Sequence, residues 1–295
     1  MTATRTPDQQ LAVDLAAEAG RLLVELRTSG PTGRELGDLG DRRANTLLLD
    51  RLAAERPGDA VLSEESKDDL ARVDADRVWI IDPVDGTREY GLGDRPDWAV
   101  HVALWERAGD PARSRLTAAA VSLPALGVVL GVDDDENYAD PAGNHGVDGS
   151  GLLDPRTDSR PRIVLSASRP PAFADAVARA VGGELVPLGS AGAKAAAVVR
   201  GEADAYIHAG GQYQWDSAAP AGVALARGFV ALRVNGDPLE YNVAETFLPD
   251  LVVCRADLAD AILEAIGSVA GWADGHTRLA RDRFGGEGAG TGRTR

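Results

Sequence analysis

The feature that most constrains this chain is the stretch Arg77 to Asp82, RVWIID, which runs on into Pro83-Val84-Asp85-Gly86-Thr87. Its β-branched and aromatic residues predict a strand over 77–82. Asp82 and Asp85 then stand three residues apart at the strand's C-terminal end. Pro83 fixes one φ, and Gly86 lets the chain turn sharply. The two carboxylates are thereby brought toward one point at the mouth of an α/β sheet, where ligands bind. Like carboxylates at close range repel, and one takes up a proton unless a cation holds them. Oxygen-only ligands favour Mg2+ or another hard divalent ion. The plain alternative is a solvated turn.

Helices and further strands are predicted around this one. Thr6-Pro7-Asp8-Gln9 reads as a helix start, with Thr6 as N-cap, Pro7 at N1 and Gln9 closing a capping box. Leu11, Leu15, Ala19, Leu22, Leu23 and Leu26 follow at helical spacing, and Gly30-Pro31 ends the run. A second helix is expected from about Arg42 to Glu55, with Pro57-Gly58 beyond it. Strands are expected at 60–62, 98–105, 116–123 and 126–132, with Pro124-Ala125 turning between the last two. Residues 133–162 are rich in Asp, Gly, Pro, Asn and Ser, which predicts a surface loop and linker. Beyond it, strands at 162–166, 184–188, 203–208, 229–233 and 250–254 alternate with helices at 171–181, 190–200, 216–227 and 256–271. That alternation argues an α/β layer arrangement. The Gly-rich stretch from Arg283 to Arg295 reads as a disordered tail. The expected organisation is an N-terminal α+β subdomain carrying the metal site over 1–135 and a linker over 136–161. A C-terminal α/β subdomain over 162–275 and a flexible tail over 276–295 complete it.

Charge narrows the partners. The chain has 31 Lys and Arg against 46 Asp and Glu, a net charge of −15. Sequence-independent nucleic-acid binding and attachment to an anionic membrane both need a basic surface. A hydrophobic content of 44% is ordinary for a globular chain. Cys254 is the single cysteine, so no intrachain disulfide forms, as expected in a reducing compartment. The start, Met1 to Gln10, is polar, and no apolar run approaches the roughly 20 residues of a membrane span. The expectation is a soluble, cytoplasmic protein.

Four further clusters carry chemistry-bearing groups. Glu64-Glu65 follow the 60–62 strand; adjacent loop acids are solvated by default, but these lie one strand before Asp82. Asp216 is placed as N-cap of the Ala-rich helix after Trp215, which is compatible with metal binding. Gly189-Ser190-Ala191-Gly192-Ala193-Lys194 opens a helix with small residues and a lysine, a pattern that suits an anion. Asp41 falls at an expected helix start, where the helix dipole alone explains an acid. His101 and His208 lie in predicted strands and receive no role. Tyr206, Trp215 and Trp105 are assigned to the core rather than to stacking on a base.

The motif Asp-x-x-Asp-Gly-Thr differs from the Asp-x-Asp-Gly-Thr nucleophile of haloacid-dehalogenase-type phosphatases. The extra residue redirects the second carboxylate. Instead, LSEES, WIIDPVDGT, GSAGAKAAAVVRGEADAYI and WDSAAPAGVALARG, in this order and spacing, resemble the inositol monophosphatase superfamily over about residues 8–271. Within it, DGTREY, SASRPP and HAGGQYQWDSAAPAG are most similar to CysQ-type 3′(2′),5′-bisphosphate nucleotidases. The resemblance implies a layered α-β-α-β-α sandwich and Mg2+-dependent, lithium-sensitive hydrolysis of a phosphomonoester, with two or three Mg2+ per site. It implies Glu64, Asp82 and the Val84 carbonyl as ligands of a first metal, and Asp82, Asp85 and Asp216 as ligands of a second. Glu65 is similar in position to an acid near a third metal or its waters. Asp41 with Thr87 resembles the pair that orients or activates the attacking water. The family's Val-Thr-x-x-Asp segment is replaced here by Gly37-Asp38-Leu39-Gly40-Asp41.

The expected substrate-facing residues are Glu64, Asp85, Gly86, Thr87, Arg88, Ser166, Ser168, Arg169, Ser190, Lys194 and Asp216. Among them, the Gly86–Thr87 backbone and the helix near Ser190 are candidates to hold phosphate oxygens. Ser166, Ser168, Arg169, Ser190 and Lys194 are candidates for a second phosphate or a base. The implied reaction converts 3′-phosphoadenosine 5′-phosphate to AMP and phosphate, a step of sulfur assimilation. Inositol 1-phosphate or fructose 1,6-bisphosphate on the same fold remains the alternative. A catalytically inactive, metal-stabilised interaction protein is opposed by the intact acid set. The expected partner is a small phosphorylated metabolite, with no nucleic-acid polymer and no membrane; a homodimer is the family-level expectation.

Overall fold

The computed structural model describes residues 5–110, 115–132, 138–139 and 151–269. Helix α1 (Pro7–Ser29) starts as the sequence predicts. The Gln9 N–H donates to Thr6 Oγ1 at 3.3 Å, and the Thr6 N–H donates to Gln9 Oε1 at 2.7 Å. Helix α2 (Arg34–Glu55) departs from expectation by starting at Arg34 rather than Arg42. Gly37 and Gly40 disguised its first turns, since glycine is a poor helix former. Their purpose is steric. A Cβ at 37 would lie 2.8 Å from Thr87 Cγ2, and one at 40 would lie 2.6 Å from Tyr90 Cε1. The two glycines let the short helix α3 (Thr87–Gly91), absent from the sequence expectation, lie directly on α2.

Two sheets organise the remainder. The first contains β1 (Ala60–Ser63), β2 (Arg77–Asp85), β3 (Ala99–Glu106), β4 (Arg115–Leu123), β5 (Val128–Gly131) and β6 (Tyr138–Ala139), in sequence order. Only the β1–β2 pair is parallel. Strand β6 falls within the stretch expected to be loop. A tight turn at Pro124–Leu126, closed by Gly127, joins β4 to β5, so β5 starts two residues later than expected.

The second sheet has the order β10 (Val230–Leu232), β11 (Phe247–Cys254), β9 (Ala205–Tyr213), β7 (Arg162–Ser166), β8 (Glu184–Leu188). Strand β7 runs parallel to β8 and β9, and β11 antiparallel to β9 and β10. Its helices are α4 (Ala174–Val181), α5 (Ala191–Val199), α6 (Gln214–Ala226) and α7 (Ala259–Gly267). Helix α4 starts three residues after the expected 171, beyond Pro170-Pro171. Helix α7 ends at Gly267, before the expected 271, and residues 270 and 271 lie outside the described residues.

Strand alternation fixes the layers. Trp79, Ile81, Val100, Val102 and Leu104 turn to one side and pack with Leu15, Leu23, Leu48 and Leu52 of α1 and α2. Val78, Ile80, Ala103 and Trp105 turn to the other and meet the small residues of α5 and α6. Val164, Tyr206, Leu251 and Val253 of the second sheet close over the same two helices. Its far face, Ile163, Ile207, Val252 and Cys254, packs on Phe173, Val177 and Ile262 around α4 and α7. The order is helices, sheet, helices, sheet, helices, the α-β-α-β-α sandwich expected from the sequence. Alanines fill α5 and α6 because each is covered by a sheet on both sides, leaving little room for longer side chains.

The described end of the expected linker is anchored. The N–H groups of Leu152 and Leu153 donate to Glu202 Oε2 at 2.6 and 3.0 Å, and Leu152 joins the central core. The expected tail, 276–295, lies outside the described residues. No helix among the described residues is long and apolar enough to cross a membrane.

Candidate active site

In a regular strand, residues three apart point to opposite faces. Strand β2 breaks that rule at Pro83, which has no N–H to give. Against β3, Asp82 pairs with His101 but Asp85 pairs with Ala99, so β2 carries one extra residue between them. The bulge turns Asp82 and Asp85 to the same side. Gly86, at φ 87°, then swings the chain into α3.

Each acid is held differently. Asp85 caps the start of α5. Its Oδ1 accepts from the Ala191 N–H at 3.1 Å, and its Oδ2 accepts from the Gly192 N–H at 2.5 Å and from Ser190 Oγ. His101 Nε2 lies 3.2 Å from the same Oδ2. Burial works against the Asp85 carboxylate, but His101, Ser190 and Lys194 outweigh it and hold its pKa below the usual range. His101, in turn, loses charge stability by burial yet is raised overall by Asp85. The α5 N–H groups expected to hold phosphate oxygens are therefore spent on Asp85. Ser190 sits at φ 50° and caps the same helix, its Oγ accepting from the Ala193 N–H at 2.9 Å.

Asp82 is 1% exposed. Its Oδ1 accepts from the Val84 N–H at 3.1 Å, but its buried Oδ2 has no hydrogen-bond partner. Burial, then the charges of Glu64 and Asp85, push its pKa far up. Asp216 is not the N-cap expected from the sequence. Helix α6 starts earlier, at Gln214, and Asp216 reaches back so that Oδ2 accepts from the Tyr213 N–H at 2.6 Å. Burial and Asp85 raise it to about 6. Glu64 is exposed as a residue, but its carboxyl group is the buried part and lies close to Asp82. Burial of that group, followed by Asp216, raises it to about 8.

Asp82, Asp85 and Asp216 each offer an oxygen within 4.8 Å of the others. The donor set is oxygen only, one buried oxygen is bare, and the ionised Asp85 helps to hold the pKa values of Asp82 and Asp216 up. These residues fit a hard divalent cation.

Asp41 lies in the body of α2, not at its start. Thr87 Oγ1 is 3.4 Å from Asp41 Oδ1 and 3.1 Å from the Val84 carbonyl oxygen, to which it donates. Burial, with Glu65 adding repulsion, raises Asp41 to about 7. Glu65 itself is exposed, its N–H donating to Ser63 Oγ at 3.2 Å.

A cleft of about 370 Å3 opens beside the acid cluster. Of the sequence-expected residues, Glu64, Asp85, Gly86, Arg88, Ser166, Ser168, Arg169, Ser190, Lys194 and Asp216 line it. Thr87, Asp41, Glu65, Asp82 and Val84 are not among its lining residues. Lys194 is already engaged. Its Nζ donates to the carbonyls of Leu188, Gly189 and Ser190 at 3.4, 3.1 and 2.5 Å, and burial lowers it to about 8.

The sequence missed Glu89, Gln212 and Tyr213, and it gave His101 and His208 no role; all but His101 line the cleft. Tyr206, expected as core, is buried and also lines it. For His101 a signal existed: the antiparallel ladder puts it directly opposite Asp82.

Known proteins share both sequence and architecture. The chain is 51% identical over 267 residues to a 3′-phosphoadenosine 5′-phosphate phosphatase of Mycobacterium leprae, covering 89% of this chain and 94% of that protein. A protein of the same name from Mycobacterium tuberculosis is 52% identical over 252 residues, 84% of this chain and 89% of that one. The crystal structure of CysQ from Bacteroides thetaiotaomicron superposes with a TM-score of 0.69 at 24% identity, covering 84% of this chain and 97% of that one. The family model described as the inositol monophosphatase family matches residues 6–269, nearly all of the described chain. With the layered fold and the oxygen cluster at the β2 bulge, that match makes this chain a member of the inositol monophosphatase family.

Proposed function

We propose that the chain is a Mg2+-dependent phosphomonoesterase that removes the 3′-phosphate of 3′-phosphoadenosine 5′-phosphate, giving AMP and phosphate. One observation carries the choice of substrate. Half of the aligned residues are identical to those of the Mycobacterium leprae phosphatase of that name, across 94% of its length. The low-pKa Asp85, the bare Asp82 Oδ2 and the nearby Asp216, with Glu64 and the Val84 carbonyl, would hold the cations. When bound, Mg2+ supplies charge neutralisation and polarisation of the phosphoryl oxygens.

The chain's own groups do the rest. Ser190 and the α5 N–H groups keep Asp85 ionised and fixed. Asp41, poised near neutrality beside Thr87, takes the proton of the attacking water. Arg88 and Arg169, both exposed on the cleft, meet the remaining phosphate, for which a planar guanidinium is suited. The buried single cysteine, Cys254, accords with a reducing, cytoplasmic setting.

The test is a phosphate-release panel with 3′-phosphoadenosine 5′-phosphate, inositol 1-phosphate and fructose 1,6-bisphosphate. The bisphosphonucleotide should give the highest kcat/KM, EDTA should abolish the activity, Mg2+ should restore it, and Li+ should inhibit. Comparable kcat/KM on all three substrates would remove the nucleotidase assignment.

A further inference from the structure

Away from the acid cluster, the cleft holds polar groups that phosphate chemistry does not use. Strand β9 turns Tyr206 and His208 toward it. The β9–β11 register slips by one residue between Asp250–Ala209 and Leu248–Gln212, and Gln212 folds back onto Tyr206. His208 is 3% exposed and Gln212 6%, and both line the cleft. His208 Nε2 lies 3.1 Å from the Gly211 carbonyl oxygen. A carbonyl accepts, so Nε2 carries the hydrogen and Nδ1 keeps a lone pair. Nδ1 is buried with no hydrogen-bond partner. Burial lowers the His208 pKa to about 3, so the ring stays neutral.

Gln212 Nε2 donates to the Tyr206 hydroxyl oxygen at 2.5 Å, which leaves Gln212 Oε1 buried and also without a partner. Two bare acceptors thus stand on side chains that line one cleft. Native proteins rarely leave buried acceptors bare, and a ligand bearing donors would satisfy them. Tyr213, the next residue, is an exposed aromatic on the same cleft. Its ring stacks on Trp215 at 4.9 Å and meets Phe247 edge-on at 6.0 Å, which holds it in place as a platform.

We propose that this part of the cleft is a purine subsite in which Tyr213 stacks on the base, while His208 Nδ1 and Gln212 Oε1 accept hydrogen bonds from a 6-amino group. The subsite rests on the nucleotidase function proposed above, and it adds a specificity: 6-aminopurine bisphosphonucleotides over 6-oxopurine ones. An exocyclic amino group has two hydrogens for two acceptors. A 6-oxo group would set a third lone-pair bearer against them and leave all three unsatisfied.

The experiment compares kcat/KM for 3′-phosphoadenosine 5′-phosphate and 3′-phosphoinosine 5′-phosphate. Wild type should favour the amino compound by roughly ten-fold or more, mainly through KM, because a site built to accept hydrogen bonds rejects an analogue that cannot donate them. Gln212→Met should shrink that ratio, and Gln212→Glu, which keeps an acceptor oxygen, should retain it. Tyr213→Ala should raise KM for both bases and leave the ratio intact. Thermal melts verify that each variant is folded; if Gln212→Met is not, the wild-type ratio and Gln212→Glu decide. Equal wild-type kcat/KM on the two nucleotides overturns the subsite. So does a folded Gln212→Met that loses activity equally on both. Turnover of inositol 1-phosphate with neither nucleotide hydrolysed overturns the nucleotidase function itself, and the subsite with it.

Discussion

Replacing Gly40 by alanine tests the docking of α3 on α2 through the sign of a stability change. In an ordinary mid-helix position the substitution stabilises by about 1 kcal/mol, because glycine is the poorer helix former. Here a Cβ would sit 2.6 Å from Tyr90 Cε1 and 3.0 Å from Leu23 Cδ2. Neither neighbour can easily give way. Both are fully buried, the Tyr90 hydroxyl donates to the Leu23 carbonyl at 2.9 Å, and the Tyr90 ring meets Trp98 edge-on at 4.8 Å. Overpacking of this kind costs typically 1–3 kcal/mol, and the clash belongs at the upper end. Subtracting the propensity gain leaves a net loss of about 2 kcal/mol, or a fall in Tm of roughly 3 °C for a chain of 295 residues. Thermal unfolding followed by circular dichroism measures it. A variant that melts above wild type would show that α2 does not carry Gly40 against Tyr90, and the α2–α3 geometry would be wrong. Gly37→Ala is the functional companion. Its Cβ would press on Thr87 Cγ2 at 2.8 Å, so kcat should fall as Thr87 is moved from Asp41.

In metal-free protein, the raised carboxyl groups set the pH dependence. Asp41, Glu64 and Asp216, at about 7, 8 and 6, hold protons that the unfolded chain has released. Their contribution to stability is complete below about pH 4 and is lost as pH rises through 6 to 8. In EDTA, Tm should therefore fall between pH 5 and pH 8. Saturating Mg2+ should raise Tm more at pH 8 than at pH 5, since cations and protons compete for the same oxygens; an EDTA Tm that climbs over this window would contradict the assignment. Arg72→Met should destabilise by about 1–3 kcal/mol, because the buried Asn242 Oδ1 loses its donor. Arg72 is 2% exposed, pairs with Asp68 at 2.7 Å and donates to Asn242 Oδ1 at 3.0 Å, and chemical denaturation would measure the loss. Cys254 is fully buried, and burial pushes its thiol up to about 12. Iodoacetamide should leave it unlabelled in native protein at pH 8 and label it after denaturation, as mass spectrometry would show.

What was legible in the sequence depended on whether the signal was local. The α1 capping box needs only four consecutive residues, and the structure contains it as expected. The alternation of strands and helices argued an α/β layer arrangement, and the order of the five layers came from the family resemblance. The acids Asp82 and Asp85 were visible because a bulge at a proline is encoded where it occurs. The start of α2 was not, because Gly37 and Gly40 answer to Thr87 and Tyr90, which are distant in sequence. Local propensity argues for a loop there, and tertiary packing overrides it. Asp216 was placed one helical turn off for a related reason. A Trp-Asp pair before alanines looks like an N-cap, yet Asp216 reaches back from within the helix to Tyr213. His208, Gln212 and Tyr213 were unreadable because their relation depends on a register slip against β11.

The helix start at Ser190 shows how the site resolves its own electrostatics. Small residues opening a helix suggested an anion-binding site, and the structure supplies the anion from within the chain, as Asp85. That arrangement fixes one negative charge permanently beside acids that cannot all ionise. Glu64, Asp82 and Asp216 respond by holding protons. For a divalent cation, such a cluster would offer one carboxylate already ionised and oriented, and the others would give up their protons on binding. The net charge of −15 argues for no polyanionic polymer as the expected partner, but it does not speak against a small phosphate ester here. Six of the 46 acids, Asp41, Glu64, Glu65, Asp82, Asp85 and Asp216, belong to this one region, and bound cations would invert its local sign. It follows that substrate affinity should depend on divalent cation concentration far more steeply than on ionic strength.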